Sequence, residues 1–192
     1  MAASILSEVD FKPLIGHCSC NTSSYTITAS PLITHICYCT WCQRESGTIC
    51  GSNILIESYN FKTNTVEAPG QQVPVLVAGP TPSGYGQTVA RCPVCFDGLF
   101  KYYGSNRHIT YVKAGTLDEE SFKRVMAGDR VHIFTSSKPQ WINLDQEKES
   151  GVGVFEEYYT QAEVWTKEAL ERRKILQKRI EEEKSTAEAG KE

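Results

Sequence analysis

From about residue 11 to 159 the apolar positions come in short bursts separated by turn formers, and β-branched and aromatic side chains dominate the bursts. Tyr25-Thr-Ile-Thr28, Gly51-Ser-Asn-Ile-Leu-Ile56, Val73-Pro-Val-Leu-Val77, His108-Ile-Thr-Tyr-Val112 and Val131-His-Ile-Phe-Thr135 alternate in part with a two-residue period, which predicts strands. Gly79-Pro-Thr-Pro-Ser-Gly-Tyr-Gly86 holds no regular element and predicts a loop, expected to wall a site formed by the cysteines after it. One short helix is predicted at Asp118-Glu-Glu-Ser-Phe-Lys-Arg-Val-Met126, with acidic residues in its first turn and Gly128 past its end. From Ala162 to Lys184 the period changes to that of a helix, with Trp165, Ala169, Leu176 and Ile180 on one stripe. The count is α+β weighted to β, with a C-terminal helix.

Composition narrows this. A chain of 192 residues with 40% hydrophobic content buries one good core, and its formal charge of −3 offers no basic footprint for nucleic acid. No run of eighteen apolar residues exists, so no membrane span is expected. Residues 161 to 192 carry eight acidic and eight basic side chains, which makes a mixed-charge helix packing one stripe on the domain; the apolar repeat, interrupted at Arg172 and Arg173, is too brief for a coiled coil. The expected organisation is an N-terminal segment at 1–10, a domain at 11–159, the charged helix at 160–184 and a disordered tail at 185–192.

Seven of the eight cysteines fall into three groups: Cys18-Ser-Cys20, Cys37-Tyr-Cys39-Thr-Trp-Cys42 and Cys92-Pro-Val-Cys95. Such spacing reads as metal, because sulfurs one residue apart strain a disulfide yet a tight turn aims both at one soft cation. A closed structural zinc takes four ligands, while a catalytic one keeps three and an open position. The pairs Cys18/Cys20 and Cys92/Cys95 make two prongs of a closed site, leaving Cys37, Cys39 and Cys42 with one open face. Residues 1 to 15 lack a basic start and apolar core, which argues against a secreted disulfide framework and for an intracellular, cytoplasmic setting. A redox reading of Cys92-Pro-Val-Cys95 lacks a surrounding βαβ pattern. Cys50 is expected to be a small buried hydrophobe, or else a fourth ligand.

In their order and context these residues resemble the glutathione-dependent formaldehyde-activating enzyme and centromere protein V family. Gly16-His-Cys-Ser-Cys20 resembles its G-x-C-x-C opening, Cys37-Tyr-Cys-Thr-Trp-Cys-Gln-Arg44 with Gly47 its C-x-C-x-x-C-R-x-x-G, and Arg91-Cys-Pro-Val-Cys95 its F-C-x-x-C-G. Gly115-Thr-Leu-Asp118, His132-Ile, Ser137-Lys-Pro-Gln-Trp141 and Val154-Phe-Glu-Glu157 are similar to its later landmarks. Gln43 stands where the pattern has arginine, with Arg44 second, and Phe96 stands where it has glycine. The resemblance implies a zinc-bearing β-tent of folded, mainly antiparallel sheets. It implies two Zn2+ per chain, structural at Cys18, Cys20, Cys92 and Cys95 and catalytic at Cys37, Cys39 and Cys42.

The expected chemistry is that of a carbon–sulfur lyase or synthase. Its substrate would be a small-molecule thiol and aldehyde or a glutathione adduct, with S-hydroxymethylglutathione formation as the type reaction. Three thiolates leave a zinc site with a net charge of about −1, which favours exchange of a soft sulfur ligand over hydrolysis. The alternatives are a lyase specialised for a larger glutathione adduct and a non-catalytic zinc-stabilised protein-binding module. A methionine sulfoxide reductase of similar fold would need a nucleophilic cysteine in the second half, and none follows Cys95. His132 is expected as a packed strand residue, His17 and His35 as hydrogen-bonding neighbours of the ligands, Trp41 as pocket lining and Trp141 as core.

Overall fold

The computed structural model describes residues 11–63 and 70–189. In chain order it contains β1 (Leu14–His17), β2 (Ser24–Ile27), β3 (Ile33–Cys37), α1 (Thr40–Ser46), β4 (Gly51–Glu57), β5 (Phe61–Thr63), β6 (Val75–Gly79), β7 (Gln87–Arg91), β8 (Gly98–Tyr103) and β9 (Ile109–Lys113). Then follow α2 (Glu119–Ala127), β10 (Arg130–Ile133), α3 (Asp145–Glu149), β11 (Gly153–Val154), α4 (Gln161–Val164) and α5 (Lys167–Ala189). A three-stranded sheet, β1-β2-β5, stands beside an eight-stranded one ordered β11-β10-β3-β4-β9-β8-β7-β6. All pairings are antiparallel except those of β10 with β3 and β11. The protein is mainly β with a C-terminal helix, as its patterning predicts.

Alternation along the long sheet decides what each face holds. Register aligns Cys37 with Gly51, His35 with Asn53 and Lys113, and Ile33 with Leu55, Tyr111 and Lys101, so these side chains share one face. The opposite face turns Ile54, Ile56, Val112 and Phe100 towards the three-stranded sheet, in a core that also contains Cys18 and Cys92. The first face packs Ile33, Leu55, Val131 and Ile133 against Tyr159, Trp165, Ala169 and Leu176, in a core that contains Cys37 and Cys42. Full burial of an aliphatic side chain such as Ile54 or Leu176 stabilises by about 1.5–3 kcal/mol. One sheet therefore separates the two groups of cysteines.

Several expectations need correction. Six strands escaped the sequence pattern, β1, β3, β5, β7, β8 and β11: β3 is buried on both faces, β7 and β8 bury consecutive residues and so lose their alternation, β1 contains a glycine, and β5 and β11 have three and two residues. The third predicted strand lies two residues later, at Val75–Gly79. β7 intervenes between the loop and Cys92, so the loop at 80–86 meets the start of that strand and the cysteine its end, and the loop does not wall the site. The long helix begins at Lys167, where Thr166 Oγ1 accepts from the Ala169 N–H at 3.1 Å, and a separate turn, α4, precedes it. It runs to Ala189 and so takes in 185–189 of the expected tail; residues 1–10 and 190–192 lie outside the described residues. Trp141 is 74% exposed, and the core tryptophan is Trp165, whose Nε1 donates to the Tyr159 hydroxyl at 2.7 Å. The predicted short helix stands, with Asp118 as its cap accepting the Ser121 N–H at 2.7 Å.

Candidate metal centres

Two similar turns build the four-cysteine group. Cys18 leaves β1 and closes a turn in which its carbonyl accepts from Asn21 N at 3.0 Å, while Asn21 takes a left-handed φ of 59°. Cys92 leaves β7, its carbonyl accepts from Phe96 N at 3.1 Å, and Phe96 takes φ 63°. Asparagine tolerates that conformation and phenylalanine does not, so Phe96 is held under strain at the position where the family pattern has glycine. Asp97 joins the prongs by accepting the Ser19 N–H at 2.7 Å and the Ser19 hydroxyl at 2.5 Å, bonds that hold its carboxyl below its usual range. The sulfurs of Cys18, Cys20, Cys92 and Cys95 all lie within 4.8 Å of one another, with Cys18–Cys20 at 3.5 Å and Cys20–Cys92 at 3.6 Å. Tetrahedral zinc with bonds of about 2.3 Å needs sulfurs about 3.8 Å apart. These separations match a metal site and are far beyond a disulfide; all eight cysteines are free.

The second group follows from one extended step and one helical turn. Cys37 and Cys39 flank Tyr38, so both sulfurs point one way while the Tyr38 ring stacks on His132 on the other side, centroids 5.8 Å apart. α1 then starts with Cys39 as its cap, the Cys39 sulfur accepting the Cys42 N–H at 3.4 Å, and the turn brings Cys42 back to the same point. Gly47, at φ 67°, ends the helix and lets the chain return as β4. Gly51 leaves room for the group: a Cβ there would lie 3.2 Å from Cys42 Cβ and 3.5 Å from Cys42 Sγ. Cys37, Cys39 and Cys42 offer sulfurs within 4.8 Å, and among the described residues no fourth cysteine, histidine or carboxylate joins them. Cys37 and Cys42 are buried and Cys39 is half-buried, which puts the accessible side of the group at Cys39.

Hydrogen bonding within the triplet favours a single thiolate. Bonds from Cys37 and Cys42 hold Cys39 far below the usual thiol value, and the bond to Cys39 pushes Cys37 far above it. A divalent cation is what allows all three to ionise together, so the donor set fits zinc. One helical turn beyond Cys42, Glu45 accepts from Lys101 at 2.9 Å and pairs with Lys113 at 2.6 Å. Burial works against the Lys101 ammonium, but Tyr103 and Glu45 outweigh it and hold the lysine charged above its usual value. Two cations share one carboxylate here, leaving a net positive charge beside a thiolate group that is negative even with zinc bound.

Aromatic side chains continue the same face. Tyr103 and Tyr111 meet edge-on with centroids 4.7 Å apart, and Tyr158 stacks on Tyr159 at 4.8 Å. The Tyr159 hydroxyl accepts from Trp165 and lies 2.6 Å from His35 Nε2, while burial lowers His35 to about 4 and keeps it neutral. That leaves the Tyr159 proton for His35.

All seven predicted cysteines come together, in the partition that ligand arithmetic gives. Cys50 is half-buried against the Ile36, Tyr38 and Leu144 cluster and belongs to neither group. His132 is packed and bonded, to the Tyr38 hydroxyl at 3.1 Å and Glu147 at 3.2 Å, and His17 Nδ1 donates to the Cys18 carbonyl at 2.9 Å. Gln43 donates to the carbonyls of Tyr38 and Ser137, tying α1 to the segment after β10, while Arg44 is exposed. Lys101, Glu45, Tyr103, Tyr111 and Arg173 carry no motif; only the three-residue step from Cys42 to Glu45 is visible in the sequence. A surface depression of about 540 Å³, lined by Ser136, Lys138, Asn143 and Glu156 among others, contains no cysteine, so sulfur geometry defines the site.

Fold and site together define a mainly β protein built around two thiol groups able to hold zinc, one with four sulfurs and one with three. The model of the glutathione-dependent formaldehyde-activating enzyme family matches residues 13–137, and the chain belongs to that family. No curated protein matches it. Among solved structures it is similar to a crystal structure of a Rhodobacter sphaeroides protein, 11% identical over 73% of this chain and 98% of that one, with a TM-score of 0.39. That likeness is too loose to carry fold or function. Among the described residues no helix is long and apolar enough to cross a membrane.

Proposed function

We propose that the protein is a zinc-dependent carbon–sulfur lyase or synthase that makes or cleaves the adduct of a thiol, glutathione in the type reaction, with a small aldehyde. The four-cysteine group is structural and the three-cysteine group catalytic. One observation carries this reading: the triplet gathers three sulfurs with no fourth ligand among the described residues, and its least buried member is the half-buried Cys39. When bound there, zinc supplies a Lewis acid with an open position, able to favour a thiol's anion or to polarise a carbonyl.

The chain's own residues supply the rest. Cys37, Cys39 and Cys42 fix the metal on a rigid strand-to-helix junction. The shared Lys101–Glu45–Lys113 charge offsets the negative thiolates, and the tyrosines provide a wall for the organic part of a thiol. Membership in the family supports glutathione and formaldehyde as the first substrates to try.

The test is zinc per chain together with turnover of glutathione and formaldehyde, in wild type and Cys39→Ser. Two zincs falling to one, with folding kept and turnover lost, is the expected result. A two-zinc protein that neither makes nor cleaves any thiol adduct of a small aldehyde would overturn the enzymatic reading and leave the zinc-stabilised binding module.

A further inference from the structure

The buried and half-buried cations that neighbour Arg173 and the triplet, Lys101, Lys113 and Arg172, each have an anion, and among the described residues Arg173 has none. Lys101 and Lys113 share Glu45, and Arg172 is held by Glu57. Arg173 makes no hydrogen bond or ion pair among the described residues; the residue is half-buried, and its buried Nη1 has no acceptor. Holding one end of a guanidinium away from water without an acceptor costs free energy that a folded chain seldom leaves uncompensated.

Its position follows from helical spacing. Ala169, Arg173, Leu176 and Ile180 stand four, three and four residues apart, so Arg173 lies within the stripe that α5 packs on the sheet. Beneath that stripe is Tyr111, on whose hydroxyl the Arg173 charge acts. Tyr111 shares a cross-strand row with Leu55 and Ile33, four residues along the strands from the row of Cys37 and Gly51. At the rise of a strand that is roughly 13 Å. Such a span is too long for the reacting carbonyl and comparable to the reach of an extended peptide thiol: eight bonds separate the sulfur of glutathione from its far α-carboxylate, about 10 Å.

We propose that Arg173 binds a carboxylate of the thiol substrate, and so selects carboxylate-bearing peptide thiols over small neutral ones. This rests on the lyase reading for its site and adds a specificity residue from α5, beyond the span matched by the family. The Arg172 clasp to Glu57 and Ser30 fixes the helix, so Arg173 is presented without further ordering.

The experiment compares wild type, Arg173→Ala and Arg173→Lys, each loaded with zinc, in formaldehyde adduct formation with glutathione and with 2-mercaptoethanol. Loss of one charge-assisted contact should raise KM for glutathione about 10- to 100-fold in Arg173→Ala, with kcat little changed and no effect on 2-mercaptoethanol. Lysine should restore part of the loss. Calorimetric binding of S-methylglutathione should weaken by the same factor, a readout that needs no turnover.

Equal effects on both thiols, or S-methylglutathione binding unchanged in Arg173→Ala, would overturn the assignment. Wild type that turns over neither thiol would remove the lyase reading, and the binding comparison would still decide Arg173. If circular dichroism shows Arg173→Ala unfolded, Arg173→Gln carries the same comparison.

Discussion

Replacing Arg172 with methionine should release the C-terminal helix, and the size of the effect follows from what the arginine holds. Glu57 is completely buried at the end of β4 and accepts from Arg172 Nε at 2.9 Å and Nη2 at 2.5 Å; Nη1 donates to the Ser30 carbonyl at 2.8 Å and its hydroxyl at 3.0 Å. Arg172→Met removes four bonds and strands a carboxylate with no charge partner, a loss of about 3–5 kcal/mol. Domain stability is typically about 5–15 kcal/mol, so a large share is at stake. Replacing both partners, as Glu57→Leu with Arg172→Met, removes the stranded charge and should return most of the stability, to within about 2 kcal/mol of wild type. Urea unfolding of the zinc-loaded proteins, followed by far-UV circular dichroism and by tryptophan fluorescence, gives the full cycle. Because the pair is buried, its worth should change little between low salt and about 1 M NaCl. A loss below about 1 kcal/mol in Arg172→Met, or one that vanishes in salt, would refute the claim that this pair clamps the helix.

Three further outcomes are expected. Phe96→Gly should stabilise the four-cysteine turn by about 1 kcal/mol, since glycine relieves the left-handed φ and the ring is 68% exposed; a lower urea midpoint would contradict this. Gly51→Ala pushes on Cys42 and should weaken zinc at the triplet about 10-fold in chelator competition, while the four-cysteine group keeps its metal. Burial lowers His132 below the ordinary histidine value of 6.5, so its neutral form contributes stability that is complete above that value and lost as pH falls below it. His132→Gln should therefore show a shallower drop in urea midpoint than wild type between pH 7 and pH 5, and parallel curves would count against it.

The cysteine clusters were legible because the convergence of nearby sulfurs is written in local spacing: Cys37, Cys39 and Cys42 need only an extended step and one helical turn to converge, whereas the meeting of Cys18 and Cys20 with Cys92 and Cys95 is long-range. The same holds for the strands centred on Ile54 and Val112, whose alternation is the imprint of a sheet with two different faces, and for the helix capped by Asp118. The stripe Ala169, Leu176 and Ile180 announced a packed helix. It could not say where the helix packs, and it left Arg172 and Arg173 looking like interruptions. Trp141 and Trp165 show the same limit, since no local pattern tells an exposed turn tryptophan from a buried one.

What the sequence determined by itself is therefore the class of fold and the seven clustered cysteines, in groups of four and three that could hold a metal. Only tertiary structure decided which distant side chains stand beside them. Lys101 meets Glu45 because β8 lies two strands from β4, and Arg172 meets Glu57 across 115 residues. Local spacing fixes what one turn or one strand can bring together, whereas sheet register and helix docking are set by the burial of whole faces, and no single segment encodes them.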